Sequence, residues 1–244
     1  MPGAFIDESA LIANDVYIGP NAVVLSTSGM ATHIEAGAEI GANATIYAGV
    51  TVGTRARILP GAVISRSVPP LAIVDGNPAR IIGYVNAQGR SQPTVAEIET
   101  SGPQVGASSV KGVTKHHLRF VPDIRGSLTV GEFERDIPFK PLRYFVVFDV
   151  PSTETRGEHA HRRCHQFLVA VKGSVSLVAD DGTNREEFLL NSPLFGVYLP
   201  PMTWGIQYRY SADAVLFAFA SEYYDAADYI RNYPDFLRLV ESQS

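Results

Sequence analysis

Aliphatic residues return at every sixth position through the first third of the chain. Ile6, Ile12, Ile18 and Val24 form one series, and Ile34, Ile40, Ile46, Val52, Ile58 and Ile64 form a second. Small residues and glycines fill the intervals. A period of six fits neither an amphipathic helix nor a hairpin. It fits a parallel β-helix of three short faces per coil, with one inward aliphatic residue per face. Ten such units predict about three coils. The two series are out of phase, because Val24 and Ile34 stand ten residues apart, so the pattern predicts a longer connection over 25–33.

From Leu118 onward the pattern changes to short apolar runs separated by turn signals, as in RYFVVFDV, CHQFLVAVKGSVSLVADDG and DAVLFAFAS. Asp181-Gly182 marks a hairpin. Strands at this spacing predict an antiparallel jelly-roll sandwich. In the tail, Tyr229, Ile230, Tyr233, Phe236 and Leu237 fall at helix-like intervals interrupted by Pro234, which predicts one or two short helices packed on the sandwich.

Composition sharpens the division. Of 24 aromatic residues only Phe5, Tyr17, Tyr47 and Tyr84 precede residue 116, and no lysine precedes Lys111. Between the halves lies a Gly-, Ser-, Pro- and Gln-rich stretch that reads as a linker. The expected organisation is a repeat domain over 1–85, a linker over 86–112 and a sandwich domain over 113–244. The 244 residues are 45% hydrophobic and 18% charged, which excludes wholesale disorder. A net charge of −5 argues against a nucleic-acid surface. No apolar run reaches the ~20 residues of a membrane span. The first residues lack the basic and apolar segments of a signal peptide, so the expected location is the cytoplasm. Cys164, the single cysteine, excludes an internal disulfide.

The first half resembles the hexapeptide-repeat acyltransferases, above all in VPPLAIVDGNPARIIGYV near its end. That resemblance implies a left-handed β-helix, a homotrimer or larger multiple, and acetyl-CoA as a possible ligand between subunits, with Arg80 a phosphate contact. His33 is the one histidine here and the candidate base for acetylating a sugar amine; the alternative is a surface turn residue. In sugar-acetylating members a longer segment after the early coils carries the acceptor site. The shorter connection here leads us to expect acetyl transfer to be absent or weak.

In the second half, RGEHAHRRCHQFLVAVKG places His159 and His161 two residues apart, on one face of a strand. The spacing resembles the first cupin motif, with Gln166 where a glutamate ligand would stand and Gly205 in LPPMTWGIQY where a third histidine would stand. With two of four ligands missing, no metal is expected. Two imidazoles inside an apolar barrel suit acid–base chemistry instead.

At DIRGSLTVGEFERDIPFKPLRYFVVFDV, RGEHAHRRCHQ and SEYYDAADYIRNYPDFL the chain resembles the cupin 3,4-ketoisomerases of dTDP-4-keto-6-deoxyhexoses. The resemblance implies cofactor-free isomerisation of the 4-keto sugar to the 3-keto sugar, with one of His159 and His161 as base. It implies Arg143, Arg156 and Gln166 as donors to the developing oxyanion, and Arg125 on the diphosphate. Trp204 packs on the sugar or base, or in the core. Phe145 and Gly205 depart from the polar residues of relatives. Some relatives fuse the isomerase to an N-acetyltransferase, so the competing expectations are a bifunctional enzyme and a non-catalytic sugar-nucleotide scaffold.

Overall fold

The computed structural model describes residues 3–91 and 103–242. The chain divides into two units, Met1–Asn86 and Ala87–Ser244. Apart from a short C-terminal helix and one 3-10 turn, the described residues form strands, turns and loops.

The first unit is the β-helix that the six-residue period predicts. Its strands are β1 (Phe5–Ile6), β2 (Leu11–Ile12), β3 (Tyr17–Ile18), β4 (Val23–Val24), β5 (His33–Ile34), β6 (Glu39–Ile40), β7 (Thr45–Ile46), β8 (Thr51–Val52), β9 (Arg57–Ile58) and β10 (Val63–Ile64). An antiparallel pair, β11 (Ala72–Asp75) and β12 (Arg80–Tyr84), closes it. They stack as three sheets in the orders β1-β4-β7-β10, β2-β5-β8 and β12-β11-β9-β6-β3. The second residue of each middle pair points inward: Val24, Ile34, Ile40, Ile46, Val52, Ile58 and Ile64 are all at most 2% exposed. At about 1.5–3 kcal/mol for each buried aliphatic side chain, this column holds the coils together. Glycines at the corners permit close stacking: a Cβ on Gly41 or Gly53 would lie 2.5 Å from the backbone nitrogen of Pro60 or Pro70.

The phase break does not disturb the stacking. Phe5 pairs with Val23, eighteen residues on, whereas Leu11 pairs with His33, twenty-two on, in the same parallel geometry. The four extra residues, 27–30, close as a tight turn in which Thr27 and Met30 exchange backbone hydrogen bonds. The buried Thr32 then fastens the chain back onto the coil: its hydroxyl donates to the Leu25 carbonyl and accepts from the Gly49 N–H.

The second unit is a two-sheet sandwich. One sheet runs β13 (Gln88–Ser91), β22 (Arg185–Leu190), β21 (Val175–Asp180), β24 (Trp204–Tyr208), β19 (Arg156–His161), β26 (Tyr229–Ile230). The other runs β14 (Gln104–Ala107), β15 (Thr114–His117), β23 (Phe195–Leu199), β20 (Gln166–Lys172), β25 (Val215–Ala220), β18 (Arg143–Phe148). A separate hairpin joins β16 (Arg119–Asp123) to β17 (Gly126–Val130). Leu168, Ala170, Leu177, Ala179, Leu199, Leu216 and Ala218 pack between the sheets. Asp181 makes the expected hairpin turn by accepting from the Thr183 and Asn184 N–H groups.

Two sequence expectations change. Residues 88–91 and 104–107, read as linker, are edge strands of the two sheets, and their pairing partners lie far away or across a turn. In the tail, Tyr229 and Ile230 are not helical but pair with His161 and Ala160. Pro234 starts the helix rather than breaking it: α1 (Tyr233–Glu241) has Asn232 as its N-cap, accepting from the Asp235 N–H, and proline is tolerated in a first turn.

Candidate active site

His159 and His161 sit on β19 and face the space between the sheets. Their alignment comes from a bulge. Gly157 (φ 81°) and Glu158 (φ 53°) are both left-handed, and the register with β24 shifts between Gly157 and His159. Only glycine fits the first position, because a Cβ there would lie 2.6 Å from the Gly205 carbonyl oxygen. The bulge turns the Gly157 carbonyl toward His159, which donates to it from Nδ1 at 2.8 Å. Bulges beside reacting groups commonly serve to re-aim a side chain.

His161 is anchored at its own Nδ1, which donates to Asp228 Oδ2 at 2.8 Å. Asp228 is 3% exposed and also accepts from the Arg163 N–H. Burial works to raise the Asp228 carboxyl, but the donors from His161 and the Arg163 backbone outweigh it and hold the group below its ordinary range. With both Nδ1 atoms committed, both Nε2 atoms are left as acceptors, and they face each other at 3.2 Å. The Gln166 amide nitrogen donates to His161 Nε2 at 3.1 Å. His159 Nε2 therefore keeps the lone pair that is free to take a proton. Burial, with the neighbouring charges of His161, Arg231 and Arg143, pushes His159 down from 6.5 to about 4. His161 is lowered too, by burial, with Asp228 opposing.

Four aromatic and cationic residues complete the surround. The Tyr229 ring lies 4.3 Å from that of His161 and 4.9 Å from that of His159, measured between centroids. Arg143 on β18 donates from Nη2 to the Tyr229 hydroxyl at 3.3 Å and lies over the Tyr224 ring. Arg231 covers the Tyr229 ring at 4.4 Å.

Two comparisons with known proteins decide the family. The family model described as WxcM-like, C-terminal matches residues 111–241. A TDP-4-oxo-6-deoxy-α-D-glucose-3,4-oxoisomerase of Aneurinibacillus thermoaerophilus is 41% identical over 124 residues, 51% of this chain and 89% of that protein. The chain belongs to the WxcM-like C-terminal family.

Solved structures agree with the WxcM-like assignment. QdtA, a sugar 3,4-ketoisomerase from Thermoanaerobacterium thermosaccharolyticum in complex with TDP, is 33% identical with a TM-score of 0.53, covering 55% of this chain and 97% of its own. The WlaRB TDP-quinovose 3,4-ketoisomerase of Campylobacter jejuni is 39% identical with a TM-score of 0.51, covering 53% and 99%. In the first unit, the bacterial transferase hexapeptide model of six repeats matches residues 31–66. A dTDP-3-amino-3,6-dideoxy-α-D-galactopyranose 3-N-acetyltransferase of A. thermoaerophilus is 48% identical over 54 residues, 22% of this chain and 28% of that enzyme.

Of the residues singled out from the sequence of this WxcM-like protein, His159, His161, Arg143 and Gln166 converge at one place. The others do not join them. Arg156 starts β19 opposite Gln207, exposed, and its charge is felt by the buried Tyr210. Arg125 stands in the turn of the separate β16–β17 hairpin. Of the two places expected for Trp204, the structure gives the core and not the sugar: it faces away from the histidines, 4% exposed, with its ring against Tyr233 and Phe236 of α1. In the first unit His33 is exposed on β5, and Arg80 is exposed at the start of β12. Sequence reading missed Asp228, Tyr229 and Arg231, although all three lie in the quoted SEYYDAADYIRNYPDFL segment.

The donor set fits a divalent cation poorly. Gly205 contributes no side chain, and Gln166 turns its N–H toward His161. His161, Cys164 and Asp228 place one ligand atom each within 4.8 Å of one another. That group already spends His161 Nδ1 on Asp228, and the Arg143 guanidinium lies close enough for its charge to be felt at Cys164 and at His161. A fixed cation beside the ligands opposes a second.

Proposed function

We propose that the second unit isomerises TDP-4-keto-6-deoxyglucose, or a close nucleotide variant of it, to a 3-keto sugar of gluco or galacto configuration at C4, without a metal. The carrying observation is the pair of Nε2 atoms facing each other at 3.2 Å with both Nδ1 atoms fixed. The C3 proton is acidic because it is next to the C4 carbonyl. His159 Nε2 takes it, and the C–H electrons move onto the C4 oxygen to give an enediolate. Tyr229 accepts from Arg143 and so can aim its own O–H at that oxygen. The proton on His159 is shared toward His161 Nε2, whose charge Asp228 balances. Return of that proton to C4, with the O3 proton passing to the C4 oxygen by way of the Tyr229 hydroxyl, gives the 3-ketone with all atoms conserved. Gln166 orients His161, and Arg125 and Arg156 are proposed to meet the phosphates or sugar from outside the histidine cluster.

For the first unit we infer a trimerising role, with acetyl-CoA binding possible and acetyl transfer absent or weak. Phe5, Val23, Thr45 and Val63 occupy the outward positions of one sheet, and Phe5 is 54% exposed, a stripe apolar but for the Thr45 hydroxyl and suited to side-by-side packing. The 27–30 turn closes on itself and leaves His33 on an exposed strand. A cytoplasmic location suits a nucleotide-sugar substrate.

The test is incubation with the 4-keto substrate in deuterated water, followed by NMR at C3 and C4. Deuterium should enter with appearance of the 3-ketone, survive chelator treatment, and fall at least ~10²-fold in His159→Asn. Binding of TDP without any turnover would make the chain a scaffold, and loss of turnover on chelation, restored by metal, would overturn the metal-free mechanism.

A further inference from the structure

Gln207 is 8% exposed, and among the described residues its amide has no hydrogen-bond partner. A buried amide without partners is costly. Yet neither its oxygen nor its nitrogen is among the sealed, unpartnered polar atoms of the molecule, so the amide is reachable. It lies on β24, two residues from Gly205 on the same face, and Gly205 stands directly across from His159. The amide is thus about 7 Å along the strand from the point opposite the base. Its surroundings are cleared by glycines. A Cβ on Gly157 would lie 3.0 Å from Gln207 Nε2, and one on Gly205 would lie 3.9 Å from it and 3.3 Å from Leu199 Cδ1. Leu177 and Ala179, the residues beside Gln207 and Gly205 on β21, offer it no polar atom from their side chains.

Resting on the isomerase reading above, we propose that Gln207 is a specificity-determining residue that hydrogen-bonds the C2 hydroxyl of the hexose. The sugar's own chemistry selects that group. C1 carries the phosphate, C3 and C4 react, and C6 is a methyl, so the C2 hydroxyl is the one ring hydroxyl that does not react. C2 is also bonded to C3, the carbon that His159 addresses. An amide both donates and accepts, as a hydroxyl does. With no partner among the described residues, Gln207 exchanges no internal bond there when the sugar arrives.

The experiment compares wild type and Gln207→Met on TDP-4-keto-6-deoxyglucose and on its 2-deoxy analogue, reading kcat/KM, with TDP binding by calorimetry as the check on folding. Wild type should lose about tenfold on the 2-deoxy sugar, and Gln207→Met about tenfold on the natural one. The variant should treat both sugars alike, because the removed partners are the same pair. If the two losses multiply, Gln207 does not touch the C2 hydroxyl and the proposal fails. If Gln207→Met no longer binds TDP, Gln207→Asn, which shortens the reach but keeps the amide, answers the same question. Absence of turnover by wild type on either sugar would instead sink the isomerase reading itself.

Discussion

Asp228→Asn separates the role of the buried carboxylate from that of the histidines it supports. Asp228 accepts two N–H groups, His161 Nδ1–H and the Arg163 N–H, each at 2.8 Å. Asparagine has one carbonyl oxygen and one NH₂, so it cannot accept from both. If the oxygen stays with Arg163, the NH₂ faces His161 Nδ1, and the ring must move its proton to Nε2. That Nε2–H then meets both neighbours of the former lone pair. It collides with the N–H of Gln166, and it donates into His159 Nε2, occupying the lone pair that takes the substrate proton. A charge-assisted bond is worth about 1.5–3 kcal/mol. Expressed on kcat, the loss is roughly ten- to hundredfold, with KM little changed. Steady-state NMR turnover gives kcat, and ¹⁵N shifts of the histidine rings report which nitrogen carries the proton. A variant within twofold of wild type, with His161 still protonated at Nδ1, would refute the reasoning.

Three further outcomes are expected. Stability should fall on acidification: His159 is neutral in the folded chain down to about 4 but takes a proton near 6.5 when unfolded, so between those values the unfolded state binds more protons. The loss reaches about 3 kcal/mol by pH 4; urea melts at pH 7 and pH 4.5 should show most of it, and a pH-dependence unchanged in His159→Asn would assign it elsewhere. The protein should have a trimeric or larger mass by light scattering at micromolar concentration, and a monomeric mass would rule out the role given to the apolar stripe. Supplied with acetyl-CoA and a nucleotide-linked 3-amino sugar, it should release little free thiol; turnover near ~1 s⁻¹ that vanishes in His33→Ala would make the chain bifunctional.

The parts of the structure that could be read from the sequence are those with a local period. The six-residue recurrence of Ile34 to Ile64 specifies the coil interior, and the two-residue spacing of His159 and His161 places both rings on one face. What escaped notice depends on contacts between distant segments. Asp228 reaches His161 because Tyr229 and Ile230 pair with β19, across a separation of 67 residues, and helix-like spacing in the tail concealed that strand. The edge strands at 88–91 and 104–107 were hidden by a composition typical of linkers. For Trp204, left between sugar and core, alternation contained the answer: it adjoins Gly205, which shares a face with His159, so its own ring had to point the other way.

The turn at 27–30 shows what the β-helix can absorb. Coils with eighteen- and twenty-two-residue spacings stack with the same parallel pairing, so chain length at this corner is uncoupled from the geometry of the walls. The corner is a port: residues added there hang outside the column of isoleucines and leave every rung in place. Entropy sets only a shallow penalty on lengthening such a loop. A longer acceptor-binding segment grafted between Thr27 and Met30 would therefore meet a scaffold already shaped to carry it, and gain or loss of a second chemistry in this half of the molecule becomes a matter of one loop rather than of the fold.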